Sequence, residues 1–424
     1  MAKRIQFNTR ISEEEIILPG SKSQSNRLLV LRALSAYEKS IEGLSTARDS
    51  RVLASLLDTV VQPGKGSIEL DCLDGGAPLR FMMAVCALLP GTYILKGSER
   101  LMARPQEDLI ASLRKAGVPV RTLGADGNGP WEIQGGQINT GNWEVSTEIS
   151  TQYASALLLI APFYGEEVSI KLDGRGMSMP YLGMTLQALK QFGVDFKQIG
   201  DRILIQPGTK PPAELIVEAD WSSAAFFYAA ASLLDMDGLV LPNLLLPSIQ
   251  GDSFLETLFR YEGLASDYKD GRMQLRKIPL TWQKNPLTLN LEKYPDLAPA
   301  LVVYYLMQGR EVDFYGLESL CIKESVRDEV LGDMVRACGA EWEKGEGVWK
   351  LRGTISQKPT QLKTHYDHRM VMAFSLLAIH FGTVELEEIR SVEKSFPSFW
   401  EEMKKLGISE NETIFSTFAP HVGK

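Results

Sequence analysis

One pattern recurs six times along the chain: small polar residues or an Asp, then an apolar run of helical length, a short turn and a β-rich stretch. Ser21-Lys22-Ser23 precedes RLLVLRALSA, Gly75-Gly76 stands ahead of LRFMMAVCALL, and Ser150-Thr151-Gln152 precedes YASALLLIAPF. In the second half Asp220-Trp221-Ser222-Ser223 opens AAFFYAAASLL, Pro295-Asp296 opens LAPALVVYYLM, and Asp367-His368-Arg369 opens MVMAFSLLAIH. Ser, Thr and Asp at such openings accept hydrogen bonds from the free N–H groups of a helix start. Runs such as LLLIAPF and LVVYYLM are apolar all round, which is the signature of a helix buried on every side. A second element alternates with these runs, a helix ending in a basic residue near Gly117, Gly193, Gly263, Gly339 or Gly407, each predicted to be a left-handed stop. These stops are about 70 residues apart, a spacing too long for a solenoid and suited to a βαβαββ unit, with the copy near Leu56 and Leu57 degenerate.

Six buried helices need shared cores, and 424 residues exceed what one core usually organises, so two domains are expected. If the inner helices of each half pack side by side, their N-termini share one direction and their dipole ends favour anions at one surface. Net charge is −8, which argues against broad nucleic-acid binding. The start has no apolar signal-peptide region and no later run is long enough for a membrane span, so a cytoplasmic protein without membrane contact is expected. Cys72, Cys86, Cys321 and Cys338 lack zinc-site spacing and read as reduced thiols, mostly in the core. Met82, Met83, Phe226, Phe227, Tyr228, Tyr304 and Tyr305 read as core as well.

In such an acidic chain, cations gathered at element ends are informative. In LPGSKSQSNR a strand breaks at Pro19-Gly20 and a helix begins with Ser21, Lys22 and Ser23, with Arg27 one turn on, a set of donors suited to a phosphate. The Gly-x4-Gly-Lys spacing of a Walker loop is missing. Arg80, Arg104, Lys323, Arg327, Arg369 and Lys394 lie at comparable places, so more than one anionic group is expected. Asp296 and Glu324 are the candidate proton-transfer acids, each at a helix beginning, and Glu324 stands between two cations that can balance its charge. Taken singly, Asp296 reads equally as an N-cap and Glu324 as an exposed ion pair. His368 reads as a packed, hydrogen-bonded ring that orients Arg369 rather than as a base.

LPGSKSQSNR, GGAPLR, ARP, STQ, MSMPY, YPD, KESVRD, YDHRM and EKSFPSFW, in this order over nearly the whole chain, resemble the 5-enolpyruvylshikimate-3-phosphate synthases. The resemblance implies a mixed α/β (α+β) fold, a two-domain inside-out α/β barrel of six βαβαββ repeats whose buried helices point their N-termini at the cleft. The halves would be residues 20–217, and 1–19 plus 218–424, and would close on substrate. It implies transfer of the enolpyruvyl group of phosphoenolpyruvate to the 5-hydroxyl of shikimate 3-phosphate through a tetrahedral intermediate, with no metal or organic cofactor, in a monomer. Carried over by motif, shikimate 3-phosphate would meet Lys22, Ser23, Arg27, Ser150, Thr151, Gln152, Ser178, Tyr181, Asp296, Ser319 and Lys323. Phosphoenolpyruvate would meet Lys22, Gly76, Arg104, Gln152, Arg327, Arg369 and Lys394, with Arg80 in support. Glu324 and Lys22 would deliver and return the proton, and Asp296 would take the hydroxyl proton.

The chain departs from the family pattern in one loop above all. Where the family usually has Asn-Ala-Gly-Thr-Ala-Met-Arg it reads Asp74-Gly75-Gly76-Ala77-Pro78-Leu79-Arg80, which adds a negative charge beside the expected phosphate site. Ser319 stands for the usual Asn and Phe81 for the usual Pro. The sibling transferase acting on UDP-N-acetylglucosamine has a Lys-Asn pair in its first helix and a reactive loop Cys, and SERLMA before Arg104 holds no Cys. A catalytically silent relative that binds a phosphorylated ligand would have little reason to keep Lys22, Asp296, Glu324, Arg327 and Arg369 together.

Overall fold

A computed structural model describes residues 2–9, 15–35, 37–61, 66–174, 179–280 and 286–410. The fold is mixed α/β. The six apolar runs form helices α1 (Lys22–Leu34), α2 (Gly76–Leu88), α3 (Thr151–Ile160), α4 (Trp221–Leu233), α5 (Ala298–Met307) and α6 (His368–Ser375). As their all-round apolarity requires, they are cores rather than covers: Trp221 through Ala231 of α4 and Ala298 through Leu306 of α5 are buried without interruption. Ser21, Ser150, Asp220 and Asp367 cap α1, α3, α4 and α6, each accepting from a backbone N–H of the first turn. Gly117, Gly193, Gly263, Gly339 and Gly407 have positive φ between 66° and 97°, as the sequence predicts.

Three four-stranded sheets share one layout: a parallel pair, then two antiparallel neighbours. In the first, Ser67–Asp71 runs parallel to Gly91–Lys96, which pairs antiparallel with Trp131–Gly135 and that with Val120–Thr122. The other two are built from 142–146, 168–173, 202–205 and 196–199, and from 287–290, 312–315, 348–352 and 341–344. One inner helix, α2, α3 or α5, connects each parallel pair. The N-terminal strand Lys3–Phe7 lies between Thr383–Leu386 and Ile408–Glu410, and Glu15 bridges Val240 in parallel, so the first residues complete sheets formed by the last two hundred.

Buried apolar side chains form two clusters, one from Leu28 to Val217 around α1, α2 and α3, the other from Ala219 to Ile408 with Ile5, Ile16 and Leu18 around α4, α5 and α6. Membership changes between Leu18 and Leu28 and again between Val217 and Ala219, where the two stretches pair at Gly20 and Ala219. The Ser21 N–H donates to the Glu218 carbonyl at 2.8 Å and the Asp220 N–H to the Pro19 carbonyl at 2.9 Å. Only glycine fits at position 20, because a Cβ there would stand 1.8 Å from the Gly43 carbonyl oxygen. Cys72, Cys86 and Cys338 are buried and Cys321 is exposed. Among the described residues no helix is long and apolar enough to cross a membrane.

Candidate active site

The starts of α1, α2, α3 and α6 and the turn ahead of α5 open on one cavity, where Lys22, Ser23, Gly76, Ser150, Thr151, Gln152, Asp296 and Arg369 meet. Arg27, Arg80, Arg104, Tyr181, Ser319, Lys323, Glu324, Arg327 and His368 are also in its wall. Of the residues expected from the sequence, Ser178 lies outside the described residues, and Lys394 sits behind the wall, bound to Asp74 and Glu324.

Asp296 is not the N-cap that its position allowed. It sits in the short helical turn Pro295–Leu297, and its carboxylate accepts from Arg327 Nη1 at 3.1 Å, Arg369 Nη2 at 3.0 Å and Tyr181 Oη at 3.0 Å, with Lys323 Nζ 3.7 Å away. Glu324 occupies the link between the turn Glu318–Ile322 and the helix Arg327–Ala337 rather than a helix start. It is no exposed pair: its side chain is 17% exposed, against Arg327 at 2.8 Å, Lys394 at 3.7 Å and Arg104 at 4.0 Å. Arg327, 1% exposed, joins both acids and is anchored from behind by Asp367, which takes its Nε at 2.7 Å, the Ser325 hydroxyl at 3.0 Å and the Arg369 N–H at 3.0 Å. A buried cation tied to three carboxylates is fixed in position, and its neighbours with it.

On the other side Lys22 Nζ pairs with Asp49 at 3.1 Å. Arg27 gives four N–H contacts to the chain itself, to Thr185 Oγ1 at 2.7 Å, the Ser23 carbonyl at 2.7 Å, the Tyr181 carbonyl at 3.0 Å and Ser155 Oγ at 3.3 Å. It therefore positions Ser23 and Tyr181 besides facing the cavity. Arg80 holds Gln152 Oε1 at 2.7 Å and Gln106 Oε1 at 3.0 Å. A Cβ at Gly76 would lie 2.7 Å from Arg104 Nη1, so the bare backbone is what leaves room between Arg104 and Arg80.

Electrostatics follows this packing. Burial would raise both acids, but Arg369, Lys323 and Arg327 hold Asp296 well below the usual carboxylate range, and Arg327, Lys394 and Arg104 hold Glu324 there. Burial pulls the Lys22 ammonium down, yet Asp49 and Glu324 outweigh it and keep it above the usual value. For Lys323 burial wins, aided by Arg327, and its pKa falls despite Asp296. Burial and the Lys22 charge push His368 well below the usual imidazole value, leaving a neutral ring.

The expectation of a hydrogen-bonded His368 is corrected: the ring is buried as expected, but among the described residues neither nitrogen has a hydrogen-bond partner, and Asp367 Oδ1 is 3.7 Å from Nδ1. Asp367 already serves Arg327 and the α6 cap, so its geometry leaves the ring out. Sequence reasoning missed Asp49, Asp367 as the Arg327 anchor, and Asp252, whose Oδ2 accepts from Ser222 and faces Tyr181 Oη at 3.5 Å. Asp49 lies in the first turn of the helix Arg48–Val61 and Asp367 caps α6, and nothing local in the sequence marks their distant partners.

A model of the EPSP synthase (3-phosphoshikimate 1-carboxyvinyltransferase) family matches residues 8–403. A 3-phosphoshikimate 1-carboxyvinyltransferase of Bacteroides fragilis (strain YCH46) is 33% identical over 396 residues, covering 92% of this chain and 95% of the relative. One from Sulfurovum sp. (strain NBC37-1) is 30% identical over 421 residues, covering 94% and 97%. Among solved structures, an EPSP synthase from Acinetobacter baumannii superposes with a TM-score of 0.74 at 20% identity, covering 96% of this chain and 99% of that one. The enolpyruvyl transferase NikO from Streptomyces tendae gives 0.72 at 14% identity, covering 97% and 98%.

Proposed function

Because the chain belongs to the EPSP synthase (3-phosphoshikimate 1-carboxyvinyltransferase) family, we propose a division of labour among its cavity residues in that family's reaction. The protein is a transferase of the shikimate pathway, leading to chorismate and the aromatic amino acids, that moves the enolpyruvyl group of phosphoenolpyruvate to shikimate 3-phosphate. The observation that carries the proposal is the gathering of Lys22, Arg104, Lys323, Arg327 and Arg369, from distant stretches, around two carboxylates in one cavity.

Shikimate 3-phosphate is assigned to Lys22, Ser23, Arg27, Ser150, Thr151, Gln152, Ser178, Tyr181, Asp296, Ser319 and Lys323. Phosphoenolpyruvate is assigned to Lys22, Gly76, Arg104, Gln152, Arg327, Arg369 and Lys394. Anion binding then changes the acids. A phosphate or carboxylate that engages Arg369, Lys323, Arg104 or Lys394 offsets the cations that depress Asp296 and Glu324, so both carboxylates become more basic as the substrates arrive.

In the addition step Glu324 or Lys22 gives a proton to the methylene carbon of phosphoenolpyruvate, the 5-hydroxyl oxygen bonds to C2, and Asp296 takes the hydroxyl proton. In the elimination step the methyl group returns a proton to the same acid–base pair, the C2–O bond to phosphate breaks, and inorganic phosphate departs with the equivalent of the hydroxyl proton, which leaves Asp296 as a carboxylate again. The cations hold the reactants and stabilise the charge on the leaving phosphate.

We further propose the finer architecture as six βαβαββ copies forming an inside-out α/β barrel, with domains 20–217 and 1–19 plus 218–424. The shared sheet layout and the two apolar clusters support it. A cytoplasmic monomer is proposed with it. The test is phosphate release on mixing the two substrates: Glu324→Gln and Asp296→Asn are each expected to lower kcat by about 10²–10⁴ while shikimate 3-phosphate still binds. Binding by the parent protein without turnover would leave a phosphorylated-ligand sensor instead.

A further inference from the structure

The turn ahead of α2 carries a carboxylate that the reaction does not use. Asp74 accepts from Arg48 Nη2 at 2.9 Å and 2.8 Å, one contact to each carboxylate oxygen, while Lys394 Nζ lies 2.7 Å from the Asp74 carbonyl oxygen and 3.3 Å from Oδ2. Arg48 begins the helix Arg48–Val61, packed with Asp74 on the side of the 28–217 cluster, whereas Lys394 ends the turn Ile389–Lys394, built on the other cluster. The trio is therefore an ionic bridge between the two cores.

Lys394 is 1% exposed, and its ammonium has three N–H donors. Among the described residues three acceptors face them: the Asp74 carbonyl, Asp74 Oδ2, and Glu324 Oε1 at 3.7 Å. Any anion that binds Lys394 displaces or shares one of these. The carbonyl is fixed in the turn, and Glu324 is also held by Arg327 at 2.8 Å. The Asp74 carboxylate is the one that yields, being a third exposed and already balanced by Arg48.

We propose that Asp74 is a specificity-determining residue: its carboxylate is a resident counter-anion on Lys394 that the donor's phosphate must displace, with Arg48 receiving it. This rests on the assignment of Lys394 to phosphoenolpyruvate. It follows that the negative charge of Asp74 weakens binding of the donor alone and leaves the acceptor sugar phosphate untouched.

The decisive experiment compares the parent protein with Asp74→Asn, which keeps the shape of the side chain and its oxygen acceptor but removes the charge. KM for phosphoenolpyruvate is expected to fall about fivefold, the effect of relieving one partly screened charge contact. KM for shikimate 3-phosphate should stay within about twofold. Calorimetric titration with inorganic phosphate reads the same competition without turnover, and Kd should fall by a similar factor. On a Lys394→Met background, Asp74→Asn should make no difference to phosphate affinity. An unchanged or weaker phosphate affinity in Asp74→Asn, or the same gain without Lys394, overturns the proposal. Absence of turnover by the parent protein instead refutes the assigned reaction, and the phosphate titrations remain a test of Asp74.

Discussion

Asp252 gives a sharp prediction because its environment penalises its charge. It is 3% exposed, and among the described residues Oδ1 has no hydrogen-bond partner and Oδ2 meets only hydroxyls, from Ser222 and, at 3.5 Å, Tyr181. The charged groups that face it are the Asp296 and Asp220 carboxylates, with Arg369 as the opposing cation. Burial first, then Asp296, pushes its pKa from the ordinary 3.8 up to about 7. The folded protein thus holds a proton that the unfolded chain has lost between about pH 4 and 7, so this group's contribution to stability is full below that window and falls as pH rises through it. Against the ordinary 3.8, a pKa of about 7 corresponds to a loss of about 4 kcal/mol at pH 8 and of about 1.5 kcal/mol at pH 5, where only part of the window has been crossed. Asp252→Asn removes the titration while its amide oxygen can still accept from Ser222. Denaturant unfolding of both proteins at pH 5 and pH 8 should show the variant gaining about 3 kcal/mol relative to the parent between the two conditions. A stability difference that does not change with pH would refute the reasoning, because every other titrating group is common to both proteins.

Asp367→Asn leaves the Arg327 guanidinium short of its anchoring charge in a site that water does not reach, and should lower unfolding stability by about 3 kcal/mol and reduce kcat/KM together. A loss below about 0.5 kcal/mol in chemical denaturation would contradict it. Gly20→Ala drives a methyl group to 1.8 Å from the Gly43 carbonyl at the crossing between the cores, and a drop of about 2 kcal/mol or more, read from the unfolding midpoint, is expected. Leu301→Ala in α5, wholly buried among apolar side chains, should cost about 2–5 kcal/mol with little change in KM for either substrate, separating core packing from the cavity.

The inner helices were legible because their signal is local and redundant. A run such as LAPALVVYYLM has no polar face to offer solvent, so burial on all sides follows from the sequence, and a capping Ser or Asp marks where each run begins. The cations of the cavity were legible one step later, since repeated helix starts facing one way bring Lys22 and Arg369 together although 347 positions separate them. Which acids hold those cations was not. Asp49, Asp367 and Asp74 find Lys22, Arg327 and Lys394 across 27, 40 and 320 residues, and each contact depends on the rotamer and depth of both partners, for which sequence carries no period. His368 failed for the same reason: its burial could be read from the run it opens, but whether a nitrogen meets an acceptor depends on Asp367, whose oxygens go to Arg327, Ser325 and the α6 backbone. Pattern thus fixes where charge accumulates, whereas the balance of that charge, on which proton transfer and donor affinity depend, is decided by long-range pairs and belongs to the folded state.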